Sequence, residues 1–359
     1  MIFQRALLRE FATSALATFL VLLGITVTTQ LVRLLGQAAS GAVTSEGVSA
    51  LLGFTVVGFL PVLLSLTLFI AVLMTLTRSY RDSEMVIWFA SGMSLTRWVP
   101  PVLVFAAPLV FTIGLLSFVL TPWAVGKSEE FRRMMASRDD AAAVSPGIFQ
   151  ESRQADRVFF VEEVSGTQNL FANVFVSSTQ HRKMGVMVAV RGHQETMPNG
   201  DRFLVLLDGR RYEGEAGSPE YKIYEFERYA VRIESSDAAV RAPTDRMTPT
   251  PELVRAATAP KLAELSWRIG LPVAALILSL LAIPLSFVNP RAGRSMNLVL
   301  ALLVYVVYSN LLSIVQAWIA QSRVGFLSGL WGVHATMFAL LLILFYRRLT
   351  VSSLFRFFR

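Results

Sequence analysis

Hydrophobic positions along the chain fall into two blocks of three long runs, residues 11–32, 51–77 and 99–125, then 269–289, 295–322 and 324–346. About 140 mostly polar residues lie between the blocks. An α-helix rises ~1.5 Å per residue, so roughly twenty residues cross the ~30 Å hydrocarbon core of a bilayer. Each run is long enough to do so. Three crossings before the insert and three after it leave both termini on one side of the membrane and the insert on the other. The expected fold class is membrane α-helical, with six transmembrane helices and one inserted extramembrane domain. Helices 1–3 are expected in residues 1–126, the insert in 127–262 and helices 4–6 in 263–359.

Within the insert the hydrophobic period changes. Short β-rich segments at 158–161, 174–176, 186–190, 203–207 and 221–233 are separated by turn residues. Asn199-Gly200 and Asp208-Gly209 are hairpin signals, because both central residues of a type I′ turn need positive φ. Tyr229, Val231 and Ile233 alternate with Ala230, Arg232 and Glu234, the pattern of a half-buried strand. The pattern predicts an all-β sandwich or open roll. Segments such as Val158 to Val161 and Phe203 to Leu207 are apolar on both faces. Either they are central strands covered by loops, or their second face lines a groove for acyl chains. In the second reading Phe160 and Val188 point into the groove. Residues 236–260 read as a return loop with one short helix.

Charge sets the orientation. Eleven arginines sit in one set of short loops and tails: Arg5, Arg9, Arg78, Arg81, Arg97, Arg291, Arg294, Arg347, Arg348, Arg356 and Arg359. The opposite short loops offer Arg33 and Arg323, with Arg268 at the edge of the fourth span. Cytoplasmic loops retain the positive excess, so the termini are expected inside and the insert outside. The formal charge of +8 does not indicate a nucleic-acid partner, since residues 127–266 hold 19 basic and 21 acidic side chains and the excess lies in the membrane part. Cysteine is absent, which excludes disulfide and thiol chemistry. The first run is 22 residues long and has no small-x-small cleavage site, so it reads as a retained helix.

No catalytic constellation is present. Residues 121–128 end in Gly-Lys-Ser like a phosphate-binding loop, but Thr121 stands where the first glycine belongs; the segment reads as a helix end with Lys127 as an interfacial anchor. His181, His193 and His334 have no metal-ligand spacing, and neither GxSxG nor HExxH occurs. No cofactor or metal is expected. Nearly uncharged spans also argue against a proton-coupled carrier. Any energy for transport is expected from another subunit.

The loop after the second run predicts a short amphipathic helix over residues 83–91. Ser83 is placed to cap it, Glu84 to favour its first turn, and Gly92 to end it. Met85, Trp88 and Phe89 form an apolar ridge that either lies on the membrane or enters a groove on a partner.

Several stretches then resemble one family. They are Ile2 to Glu10, Gln30 to Gly36, Ser83-Glu84 with Ala90-Ser91-Gly92, and, most specifically, Ile283 to Arg294 with its Pro-Leu-Ser-Phe-Val-Asn-Pro-Arg-Ala-Gly-Arg core. Together they are similar to the lipopolysaccharide export permeases LptF and LptG, with Leu31 to Gly36 nearer to LptF. The resemblance covers nearly the whole chain. It implies pairing with a paralogous LptG-like permease, a cytosolic LptB-like ATP-binding dimer and an LptC-like periplasmic bridge protein, and it makes the insert a periplasmic β-jellyroll-like domain that passes lipopolysaccharide. It further implies that Glu84, within Ser83, Glu84, Met85, Trp88 and Gly92, couples to the ATPase. Arg33, beside Gln30, would meet lipid phosphates; on residue type alone Arg33 reads first as a snorkelling anchor. Two other readings remain, a transducer that moves the outer domain without carrying lipid and a passive scaffold.

Overall fold

The computed structural model describes residues 2–39, 43, 45–142, 147, 149–151, 157–165, 170–180, 183–196, 202–215, 221–234, 244–287 and 296–349. Nine α-helices and six strands occur among them: α1 Ile2–Ala39, α2 Gly47–Arg81, α3 Glu84–Ala90, α4 Val99–Leu115, α5 Thr121–Ala142, α6 Thr250–Arg255, α7 Ala259–Leu285, α8 Met296–Ala320 and α9 Phe326–Leu349, with β1 to β6 between α5 and α6. Contacts divide the chain into two units, Met1–Phe131 with Pro243–Arg359, and Arg132–Ala242.

In the helical unit, six helices are long and apolar enough to cross a membrane, as the hydrophobic runs predict. The core is built by α2 and α7, onto which α4, α8 and α9 pack. Leu68, Phe69, Val72, Leu73 and Leu76 of α2 meet Ala274, Ala275, Leu278, Leu281 and Ala282 of α7 in one buried cluster. Small residues on α7 let neighbouring backbones approach, which matters in lipid because apolar side chains gain little by leaving apolar tails. By contrast α1 and α8 leave most of their apolar surface uncovered.

The third span departs from a plain helix. A π-helical turn, Leu116–Leu120, separates α4 from α5, and the helical stretch runs from Leu95 to Met135, 41 residues. At ~1.5 Å per residue that is roughly 60 Å, about twice the hydrocarbon core. Residues 121–128 therefore do not end a helix, contrary to expectation: they continue it as the start of α5, with Lys127 paired to Glu130 at 2.6 Å. The π turn has one carbonyl taken up from outside, since Thr250 Oγ1 donates to Phe118 O at 2.6 Å, and its Ser117 Oγ donates to the Arg268 carbonyl of α7 at 3.3 Å.

Arg268 is not the interfacial charge its position near a span end predicts. It is 1% exposed. Its Nε donates to Glu264 Oε1 at 3.0 Å, one turn earlier on α7; Nη1 donates to Thr250 Oγ1 at 2.8 Å, and Nη2 to the carbonyl of Arg246 at 3.2 Å. A buried guanidinium is tolerated because its carboxylate partner and these acceptors replace the lost water.

The β unit is one antiparallel sheet in the order β1 to β6, each strand pairing with the next: Gln150–Glu151, Arg157–Ser165, Leu170–Gln180, Lys183–Thr196, Arg202–Glu215 and Tyr221–Glu234. All five predicted strand segments lie in β2 to β6. The meander forms a single sheet among the described residues and not two facing sheets.

Asp208-Gly209 is corrected: it lies inside β5, not at a hairpin. Asp208 has φ 53° and Asn173 in β3 has φ 49°. Register is kept on both sides, with Val161↔Val174, Ala172↔Arg191, Ala189↔Gly209 and Leu207↔Arg228, but pairing skips Glu162, Asn173, Val190, Asp208 and Glu227. These five residues form a line across the sheet along which the pleat is broken. The line is tied by hydrogen bonds from Asn173 Nδ2 to Glu162 at 2.6 Å and from Arg191 to Asp208 at 2.9 Å. Gly209 is required by close approach, because a Cβ there would lie 2.5 Å from Val188 O and 2.6 Å from Phe226 Cζ. Asn199-Gly200 lies outside the described residues.

Candidate coupling site and lipid-contact residues

The loop between α2 and α4 forms α3 over Glu84–Ala90, within the predicted 83–91. Ser83 stands at the cap position but does not cap: its φ is 60° and its side chain makes no cap hydrogen bond. The reversal from α2 into α3 takes place over Asp82 and Ser83, and left-handed backbone at Ser83 turns the hydroxyl away from the first-turn amides. At the other end, Gly92 has φ 85°, its N–H donates to Phe89 O, and the Met93 N–H donates to Trp88 O. That pair of bonds is a Schellman termination, which is why glycine stands there.

The apolar ridge is rotated from its expected direction. Met85 is 2% exposed and joins the bundle core, so it is an anchor and not part of an outer ridge. Trp88 packs on Trp98 with ring centroids 5.7 Å apart; Phe89 meets Trp98 at 5.7 Å and Tyr80 at 6.4 Å. Tyr80 in turn meets Phe287 at 5.5 Å, and the Arg348 guanidinium lies 3.9 Å from the Phe287 ring centroid. An aromatic chain thus joins α3 to the ends of α7 and α9. The outward apolar surface of α3 is Val86, Ile87 and the edge of Phe89, which are 65%, 71% and 40% exposed. Sequence reading assigned the ridge by helical spacing alone, which fixes relative angles on a helix but not which angle faces the body.

Glu84 is half-exposed and held by one arginine. Arg78 Nη1 donates to Glu84 Oε1 at 3.1 Å and lies 3.4 Å from Asp82 Oδ2, while Nη2 reaches Glu10 Oε1 and Oε2 of α1 at 2.9 and 2.7 Å. Arg81 Nε pairs with Asp82 at 3.1 Å. Three carboxylates therefore surround two guanidinium groups, and the cluster has one negative charge in excess.

Gln30 and Arg33 lie one turn apart near the C-terminal end of α1, with Gln30 half-buried and Arg33 exposed. Arg33 has no ion-pair partner among the described residues. Phe160 and Val188 lie in the same transverse row of the sheet, Phe160↔Phe175↔Val188↔Arg210↔Glu225. Phe149 packs on this row, 4.6 Å from Phe160 and 6.1 Å from Phe175. The row is turned away from the buried cluster, since Val161, Val174, Met187 and Ala189 alternate with it and fill the other face with Leu204, Leu206 and Val231. Val188 is 46% exposed. The alternation that buries Val174 and Met187 places Phe160 and Val188 on the opposite, partly open face. Beside them the Glu225 hydrogen bond holds the Arg210 guanidinium above its ordinary pKa. Among the described residues no three His, Asp or Glu side chains converge as a metal site would. His193 is in β4, His334 is buried with its Nδ1 2.6 Å from Tyr308 Oη, and His181 lies outside the described residues. Residues 288–295, which carry most of the Asn-Pro-Arg motif, also lie outside them.

Six spanning helices, a β unit inserted between the third and fourth, and a short amphipathic helix in the loop after the second define a polytopic membrane protein of permease type. Comparison with known proteins resolves the class further. The sequence profile of the lipopolysaccharide export system permease LptF/LptG family matches residues 5–347. The chain is 30% identical over 348 residues to the lipopolysaccharide export system permease protein LptF of Escherichia coli strain K12, covering 96% of this chain and 94% of that protein. The same similarity holds for the LptF proteins of Escherichia coli O157:H7 and Shigella flexneri. The chain belongs to the LptF/LptG family of lipopolysaccharide export permeases. It is a multi-pass inner-membrane protein and a permease subunit of that export system.

Proposed function

We propose that this permease extracts lipopolysaccharide from the inner membrane under the drive of a cytosolic ATPase and passes the lipid along its β unit. Both termini and α3 lie in the cytoplasm and the β unit in the periplasm, an orientation supported by the arginine-rich loops. The observation that carries the reading is α3 itself, which presents the half-exposed Glu84 carboxylate next to the outward Val86 and Ile87 while Met85 fastens the helix to the bundle. A short helix that is anchored on one side and apolar with an acidic rim on the other fits a groove with a basic edge. The partners are the ATP-binding dimer at α3, a paralogous permease against the bare faces of α1 and α8, and a periplasmic bridge protein that receives lipid from the β unit. Arg33 supplies charge to the lipid phosphates, where a guanidinium binds two oxygens at once.

Glu84→Lys tests the coupling. Reversing the charge puts repulsion where attraction seats the helix, so assembly with the ATPase or ATP-driven lipid release is expected to fail. Normal release from reconstituted vesicles would remove Glu84 from the coupling site. For Arg33, co-purified lipid is expected to fall in the order Arg, Lys, Ala, Glu, whereas equal amounts in all four would leave only a snorkelling anchor. Photo-crosslinkers at Phe160 and Val188 are expected to capture lipid during ATP turnover, and those at Val174 and Met187 define whether the buried face opens as well. A transporter that stays active while none of the four positions crosslinks would favour the transducer reading.

A further inference from the structure

One guanidinium holds α1 and the coupling helix together. Arg78 takes both oxygens of Glu10 with one nitrogen and Glu84 with another. Glu10 belongs to a helix that runs from Ile2 to Ala39 with no proline in it. From Glu10 to Arg33 that helix advances roughly 35 Å, slightly more than the hydrocarbon core. Only 6% of its apolar stretch is buried within the chain, and its packing is mainly along α2. α1 therefore stands chiefly on α2, and this ionic junction at the end of α2 carries it on to the coupling helix.

We infer that Arg78 is a positioning residue that ties the coupling helix to α1, so that a load applied at Glu84 reaches the Arg33 end of the same helix. The inference rests on the coupling role proposed for Glu84. Arg78 acts in two ways. It holds the Glu84 carboxylate at a fixed place on the rim of α3, and it joins that carboxylate to α1 through a planar fork that serves two acids simultaneously. A lysine supplies a charge of the same sign but a single ammonium on a flexible stem, so it cannot fix both acids in one geometry. The excess negative charge of the cluster leaves Glu84 able to accept a cation from a partner without releasing Arg78 from Glu10.

The alternative is a plain staple between two helix ends. Such a staple would affect how much folded protein accumulates but not the work obtained per ATP. The experiment is performed on the complete transporter with its ATPase and paired permease in proteoliposomes, reading lipid released per ATP hydrolysed. Glu10→Gln and Arg78→Gln are each expected to lower that ratio about fivefold, the factor corresponding to ~1 kcal/mol, with Arg78→Lys in between. The double variant should be no worse than the more severe single variant, because both cut one link. An unchanged ratio in both single variants, or a double variant that multiplies their effects, overturns the linkage. Glu10→Gln keeps the test decisive if Arg78→Gln fails to accumulate. Glu84→Gln, measured alongside, separates the two readings: a normal Glu84→Gln removes the coupling role itself, while an impaired Glu84→Gln with a normal Glu10→Gln overturns the linkage alone.

Discussion

Two helices of similar hydrophobicity meet opposite fates in this protein. Of the apolar stretch of α7, 67% is buried inside the chain; of that of α1, 6% is buried. Hydrophobicity measures the gain on leaving water, and a lipid tail satisfies it as well as a leucine does. What separates the two helices is side-chain size. The buried surface of α7 carries Gly270, Ala274, Ala275, Ser279 and Ala282, which let helices approach closely, Gly270 lying against Leu312 of α8 and His334 of α9. The face of α1 carries Leu16, Leu20, Val21, Ile25 and Val32, all exposed and shaped for lipid or for another subunit.

The contrast can be broken or sharpened by substitution, with purified protein in detergent and its thermal unfolding as the measurement. The largest loss is expected from Glu264→Ala on α7, which strands the buried Arg268 charge and costs about 3–5 kcal/mol. Replacing Glu264 and Arg268 together by apolar residues should restore much of that loss. Ala275→Leu follows. Ala275 is wholly buried, and overpacking there is expected to cost about 1–3 kcal/mol. Tyr308→Phe removes the hydroxyl 2.6 Å from His334 Nδ1 in the α8 and α9 contact and is expected to cost about 1 kcal/mol. Ile25→Ala, at a 60% exposed position of α1, is expected to change the isolated chain by less than about 0.5 kcal/mol. A larger Ile25→Ala effect in the assembled transporter would identify that face as one covered by a partner, whereas a large effect in the isolated chain would break the comparison.

The coupling segment shows where sequence reading was sufficient and where it failed. Gly92 was legible because a positive φ at a helix end calls for glycine, and the expected helix needed trimming by one residue at each end. Met85 was not, because i, i+3, i+4 spacing groups residues without saying which group faces the body. Asp208-Gly209 has the residue types of a turn, and Asp208 does adopt a turn-like φ, yet the pair sits mid-strand. Local propensity was right there and its context was supplied by neighbouring strands. Gly-Lys-Ser at 126–128 and Arg268 misled for a related reason: charged residues near a span end are ordinarily read as interfacial. In the folded chain the first continues a long helix, and the second is shielded by residues 245–250, which are close to it only in space.

The chain by itself determined the number and place of the spans, the β character of the insert, the cytoplasmic-type arginine loops and the presence of a short helix with an acid at its start. These are local or periodic properties, set by transfer of side chains from water and by backbone preference within a few residues. Tertiary structure alone decided which spans form the core, which side of α3 faces outward, which face of the sheet is buried, and that Arg78 joins Glu10 to Glu84 across 68 and 6 positions of chain. Those outcomes depend on which surfaces meet. Hydrophobicity is blind to that choice, because several arrangements bury the same apolar area and only side-chain size, charge placement and packing distinguish them.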